Sequence, residues 1–240
     1  MKCVIVVLVC FLIAAHGQTI WQNIPGRLTK ISKGDSGVWG VDKNDNIYQL
    51  KWTKIAGGLV QVSSGASVWG VTKTDAIYKY LGDDKWQQIP GKLTNVDVSN
   101  KDRVWGVDRG RNIFRRTGGS WQRIGGNLKQ ISVGESGVWG VTLANDIYYR
   151  VGTYGDADTA GTIWIQVPGK LKWISSGTDL VVGVTGENEI FYREGMTADS
   201  PTGTRWVKVP GKLMQIDVNR KEVLGIDIGN FIYRSRVGRK

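Results

Sequence analysis

Cysteine and histidine are nearly missing. The chain of 240 residues has two cysteines and one histidine, and Cys3, Cys10 and His16 all lie at its start. The same stretch places Lys2 before an apolar run, Val4 to Ala15, and then offers Ala15-His16-Gly17, small residues on either side of a cut. This pattern is that of a secretory signal peptide over 1–17, removed to leave Gln18 at the new terminus. The run is about a dozen residues, short of the roughly 20 that span a bilayer, and nothing later is longer. No transmembrane segment is expected, and the chain is expected outside the cell. After the cut no Cys or His remains. That excludes disulfides, a Cys/His zinc site and a histidine general base. A secreted chain without disulfides must hold itself together by packing and hydrogen bonds, and residues 18–240 are enough for one substantial core.

Acidic residues are also in deficit: 21 Asp and Glu stand against 32 Lys and Arg, a formal charge of +11. Lys2 would leave with the signal. Basic extracellular proteins meet acidic surfaces. Arg115-Arg116 and the tail Arg234, Arg236, Arg239 and Lys240 are the densest clusters, and solvated surface is their ordinary reading. No aromatic-interleaved basic groove is visible, so no specific nucleic-acid binding is expected. Nor is there an Asn-x-Ser/Thr acceptor for N-glycosylation.

What is present is repetition. "SGVWGVDKNDNIY" (36–48) returns as "ASVWGVTKTDAIY" (66–78), "DRVWGVDRGRNIF" (102–114) and "SGVWGVTLANDIY" (136–148). Aligned on the glycine, six units appear, at Gly40, Gly70, Gly106, Gly140, Gly183 and Gly225. A tryptophan stands 18 to 20 residues before each: Trp21, Trp52, Trp86, Trp121, Trp164 and Trp206. An isoleucine follows at seven places and an aromatic at eight. Units 30 to 43 residues apart are on the scale of solenoids and propellers.

One unit reads as "WQNI" strand, "PGR" turn, "LTKIS" strand, "KGDSG" turn, "VWGV" strand, "DKNDN" turn and "IYQL" strand, with no helical period. The fold class is therefore all-β: a six-bladed β-propeller with four antiparallel strands per blade. "IWQNI" (20–24) precedes any inner strand, and nothing of its kind follows "FIYRS" (231–235). The N-terminal strand is thus expected to close the last blade as its outer strand. Trp39, Trp69, Trp105 and Trp139 sit among valines and are expected to fill the wedges between blades.

The W-x-x-[IV]-P-G-x-L core, the "VWGV" strand, the I-Y ending and the insert "YREGMTADSPTGTRW" (192–206) resemble tectonin repeats. They are most similar to the fish-egg lectin group, related to horseshoe-crab tachylectin-1. The resemblance covers the whole of 18–240. It implies a carbohydrate-binding propeller with N-acetylglucosamine-containing glycans and bacterial lipopolysaccharide as partners, in egg defence or innate immunity. Glycoproteins and a second copy of the chain are further partners compatible with it. Members of the group often carry cysteines, and this chain departs from them there.

In antiparallel blades the loops alternate between two faces, so the "PGR/PGK" turns share a face with the "DKNDN"-like turns. The first set supplies Arg27, Lys92, Lys170 and Lys212. The second supplies Asp42, Asp108 and Asp227 two after the glycine, with Asn46, Asp75, Asn112, Asn145, Asn188 and Asn230 further on. Cations, carboxylates and amides beside aromatic walls are what a sugar ring needs. Asn, Asp and Gly are also simply what tight turns use. On the opposite face, Asp156 and Asp158 with Gly161 have a spacing that faintly matches a calcium loop, and a solvated loop is the alternative. Otherwise no cofactor is expected. Catalysis is not expected either: without His or Cys only Asp/Glu pairs remain, and Asp83-Asp84 lies in an exposed turn. The competing reading is a cationic protein-binding scaffold with no sugar specificity.

Overall fold

A computed structural model describes residues 20–155 and 158–237. The signal-peptide expectation over 1–17 lies outside the described residues. Twenty-four strands form six four-stranded antiparallel sheets. In blade 1 the strands run from the axis outward as Lys30–Gly34, Gly37–Val41, Ile47–Gln49 and Thr53–Ile55. The remaining inner strands are Gln61–Ser64, Asn95–Val98, Gln130–Gly134, Trp173–Ser176 and Gln215–Asn219. The strand Gln22–Arg27 pairs with Phe231–Arg236 and completes blade 6 from outside, as the sequence predicts. The edge of Phe231–Arg236 is thereby covered.

The "PGR" segment is not a turn. The outer strand runs through it, and the register shifts between Ile24 and Arg27. Proline is tolerated because this is an edge strand. Gly26 takes φ +125°, and a Cβ there would meet the Trp52 indole at 3.2 Å. That indole donates its Nε1–H to the Pro25 carbonyl at 2.6 Å. The same bond recurs from Trp86 to Ala56, Trp121 to Pro90, Trp164 to Gly125, Trp206 to Pro168 and Trp21 to Pro210. Each outer strand is thereby fastened to the preceding blade, around the complete ring.

The core lies between blades. Trp39, Val41, Ile47 and Ile55 of blade 1 pack against Leu59, Val62 and Val68 of blade 2. Trp39, Trp69, Trp105 and Trp139 are all buried, as are Val182 and Leu224, which replace them in blades 5 and 6. The repeated glycine has a steric cause. A Cβ on Gly40 would lie 2.3 Å from Leu28 Cδ1, and each of the other five glycines faces its own leucine at 2.5 Å or less.

At the axis, each inner strand presents an edge that the preceding blade satisfies with side chains. Gln61, Gln130 and Gln215 bond both the N–H and the C=O of Val96, Ile174 and Ile31. Asn95 accepts from the Ile131 N–H. One layer deeper, Ser32, Ser63, Asp97, Ser132, Ser175 and Asp217 accept from the next blade's backbone, completing a ring. Asp97 and Asp217 stand in blades 3 and 6, on opposite walls.

Candidate functional site

The turn between the second and third strands is built alike in all blades. The residue two after the glycine accepts the N–H four places on. Asp42 accepts from Asn46, Asp108 from Asn112 and Asp227 from Phe231. Thr72, Thr142 and Thr185 do the same for Ala76, Asp146 and Glu189. The turn closes on a residue in the left-handed region: Asp45, Asp75, Arg111, Asn145, Asn188 or Asn230, with φ between 64° and 68°. Asn and Asp tolerate that region better than other side chains, so turn chemistry explains part of the sequence pattern.

The two sets of candidate residues do meet on one face. Arg27 Nη1 donates to the Gly229 carbonyl at 2.9 Å and its guanidinium lies 4.0 Å from the Phe231 ring. Lys92 Nζ donates to the Thr74 carbonyl at 2.9 Å. Lys170 bonds the Ala144 carbonyl and pairs with Asp146 at 2.6 Å. Lys212 is exposed and acts electrostatically on Glu189. Arg27, Lys92 and Lys170 thus tie the outer strand to the turn of their own blade.

Asp42 also takes the Asn46 amide at 2.8 Å and the Tyr48 hydroxyl at 3.3 Å. Burial pushes its carboxyl up, but the hydrogen bonds from Asn46, Asn44 and Tyr48 outweigh this and leave it below the usual range. Asp108 takes the Asn112 amide at 2.9 Å, and Asn112 accepts from Arg123 at 2.7 Å. Asp227 receives the Tyr233 hydroxyl at 3.5 Å. Asp75 holds Arg109 of the next blade in a forked pair, both contacts 2.9 Å. Asn230 anchors the Leu28 N–H through its carbonyl.

Asn145 and Asn188 have a role that the sequence reading missed. Their Oδ1 atoms accept from Lys129 and Lys172, at the mouth of the axial channel. The signal was present in the columns after the repeated leucine. These read Thr29-Lys30, Val60-Gln61, Thr94-Asn95, Lys129-Gln130, Lys172-Trp173 and Met214-Gln215, so cations break the pattern in blades 1, 4 and 5. The turn tips are polarised as well: Lys43, Lys73 and Arg109 in blades 1 to 3 face Leu143, Gly186 and Ile228 in blades 4 to 6. Ile228 is 80% exposed.

On the other face, Asp156 lies outside the described residues. Asp158 is held by Arg115 and by Arg103, the latter at 3.5 Å. Arg115 is consequently buried rather than solvated, and Arg116 lies 5.2 Å from the Trp121 ring. Both correct the surface reading of that pair. Among the described residues no group of three or more acidic side chains could hold a metal ion.

The Tectonin domain matches residues 13–82 and 58–240 of the chain. The chain belongs to the tectonin family. It is 42% identical over 65 residues to Tectonin-1 of Physarum polycephalum, covering 26% of this chain and 30% of that one. It is 30% identical over 100 residues to Fish-egg lectin of Cyprinus carpio, covering 42% of this chain and 33% of that protein. The matched stretches thus span about a third of each tectonin relative. Among solved structures, a gluconolactonase from Xanthomonas campestris shares the fold at TM-score 0.58 and 10% identity, over 92% of this chain and 87% of that one. At that identity the likeness is one of fold alone.

Proposed function

We propose that the chain is a secreted, noncatalytic lectin whose turn-bearing face binds N-acetylglucosamine-type sugars and bacterial lipopolysaccharide. The observation that carries this reading is recurrence. Six near-equivalent turns on one face each hold an Asp or Thr against the backbone N–H four places on, with an aromatic six places on from it in sequence, and in blades 1, 3 and 4 a side-chain amide or carboxylate bonds that Asp or Thr. Kinship with a protein named Fish-egg lectin supports it. Ring-spaced weak sites suit a repetitive polysaccharide, where avidity exceeds single-site affinity by roughly 10²–10⁴-fold. Equivalence among blades also favours binding over a unique catalytic centre.

Calorimetric titration with N-acetylglucosamine at physiological and at high salt tests the reading. Saturable binding that survives high salt is expected, because hydrogen-bonded neutral sugars are not screened. No heat at either salt, from folded protein, would replace the lectin by the cationic scaffold.

A further inference from the structure

The side-chain stitching around the axis is broken in two blades, and the two breaks meet. Lys30 and Trp173 occupy the positions of Gln61, Asn95, Gln130 and Gln215. Among the described residues neither bonds the next inner strand as those amides do. Instead Lys30 reaches across blade 6 and places Nζ 4.5 Å from the Trp173 ring centroid. Two more lysines stand beside this mouth: Lys172 directly precedes Trp173, and Lys129 holds the equivalent place in blade 4. Lys172 donates to Asn188 and lies 3.8 Å from Met214 Sδ, and Lys129 donates to Asn145. In blades 1 and 3 the equivalent residues are Thr29 and Thr94, which bond back to the Val41 and Val107 carbonyls.

None of these three ammonium groups forms an ion pair among the described residues. Their direct contacts are neutral amides, a thioether and an indole. Burial lowers the pKa of each, and Lys172 lowers Lys30 and Lys129 further. Glu187 offsets part of this, but only at Lys172. Like charges held together and partly desolvated are costly without a counter-charge. No carboxylate offsets Lys30 or Lys129 among the described residues, and that shortfall is the mark of an anion site.

We propose that the channel mouth on the turn-bearing face binds a phosphate-type oxyanion between Lys30, Lys129 and Lys172. Three point charges converging from separate blades suit a tetrahedral dianion, whereas a planar carboxylate matches the fork of an arginine. Behind the mouth a cavity of about 20 Å³ is lined by amides already committed to the strands and by the Asp97 and Asp217 carboxylates, so the anion stays at the entrance. Its source is either the free ion or a phosphate ester on a sugar. The site does not rest on the lectin reading, because inorganic phosphate has no sugar ring.

The test is calorimetry with inorganic phosphate at constant ionic strength on the full chain and three variants. Lys30→Gln and Lys172→Thr install residues that other blades already use, so both should fold. Lys54→Gln removes a lysine from an exposed outer strand. Saturable binding to the unmodified chain is expected, weakened at least tenfold in Lys30→Gln and Lys172→Thr and unchanged in Lys54→Gln. Glucose 6-phosphate binding more tightly than phosphate identifies an ester as the ligand; equal or weaker binding identifies the free ion. Absence of saturable phosphate binding, or equal losses in Lys30→Gln and Lys54→Gln, overturns the site.

Discussion

Trp21 donates its indole N–H to the Pro210 carbonyl over 2.7 Å, joining residues 189 positions apart. It is the one member of the six-indole ring that joins the N-terminal strand to blade 5. Trp21→Phe keeps an aromatic ring and removes the bond, so a loss of about 1 kcal/mol is expected. That corresponds to roughly 2–4 °C in Tm for a chain of this size. Deleting 18–27 should do far more, because it bares the edge of Phe231–Arg236. Thermal scanning with light scattering should show early unfolding and aggregation, and a deletion that melts like the full chain would refute this account of closure.

Gly106 faces Leu93 Cδ1, which a Cβ would approach to 2.5 Å, and the Asn95 carbonyl at 2.9 Å. Gly106→Ala should therefore overpack a rigid site and cost about 1–3 kcal/mol. Gly118, with open space around it and φ +53°, provides a comparison for backbone strain alone. Chemical denaturation of both variants separates crowding from conformation.

Asp42, Asp108 and Asp227 cap their own turns, so changing them to alanine would confound loss of binding with loss of structure. Threonine serves in blades 2, 4 and 5 and makes the same backbone bond. The triple variant Asp42→Thr, Asp108→Thr, Asp227→Thr keeps the backbone bonds but gives up the Asn46, Asn112, Tyr48 and Tyr233 contacts, so it should stay folded with a modestly lower melting temperature and lose N-acetylglucosamine affinity by roughly tenfold, the worth of one charged hydrogen bond. Unaltered affinity in the folded variant would remove these carboxylates from the site.

Stability should also depend on pH through the axis. Burial, and then the like charge of Asp217, push Asp97 up to about 7. Burial raises Asp217 as well. Asp97 is faced by the Ser63 and Ser132 hydroxyls and the Val133 N–H. Asp217 is faced by the Ser175 and Ser32 hydroxyls and the backbone of Lys33 and Val218. Unfolded, both return to about 3.9. Between those values the folded state holds the extra proton, so stability falls as pH rises, by at most about 1.4 kcal/mol per pH unit for one group. Asp42, Asp146 and Glu189 are lowered and act oppositely, losing their contribution as pH drops through their folded values. Tm should rise from pH 8 to pH 5 and decline below about pH 4. Asp97→Asn should flatten the upper slope, and an unchanged profile would show that Asp97 does not set it.

The sequence by itself determined the blade count, the strand order and the closure by the segment 20–24, which the structure extends through the Pro25-Gly26-Arg27 stretch. Those follow from local periodicity and from offsets held through six copies, and periodicity is a property of the chain alone. It also marked Trp39 and its equivalents as core, because valines on both sides leave no solvent face. Residues on the sugar-candidate turns were legible as a set, but their roles were not. Asn112 bonds Asp108 and Arg123, while Asn145 receives a lysine from the inner-strand side. Likewise "PGR" reads as a turn until the neighbouring indole is seen to bond the Pro25 carbonyl. The pairing of Lys30 with Trp173, and of Asp97 with Asp217, was decided only by ring closure. These residues are far apart in sequence, and only the arrangement of six blades about one axis brings their charges and rings within reach.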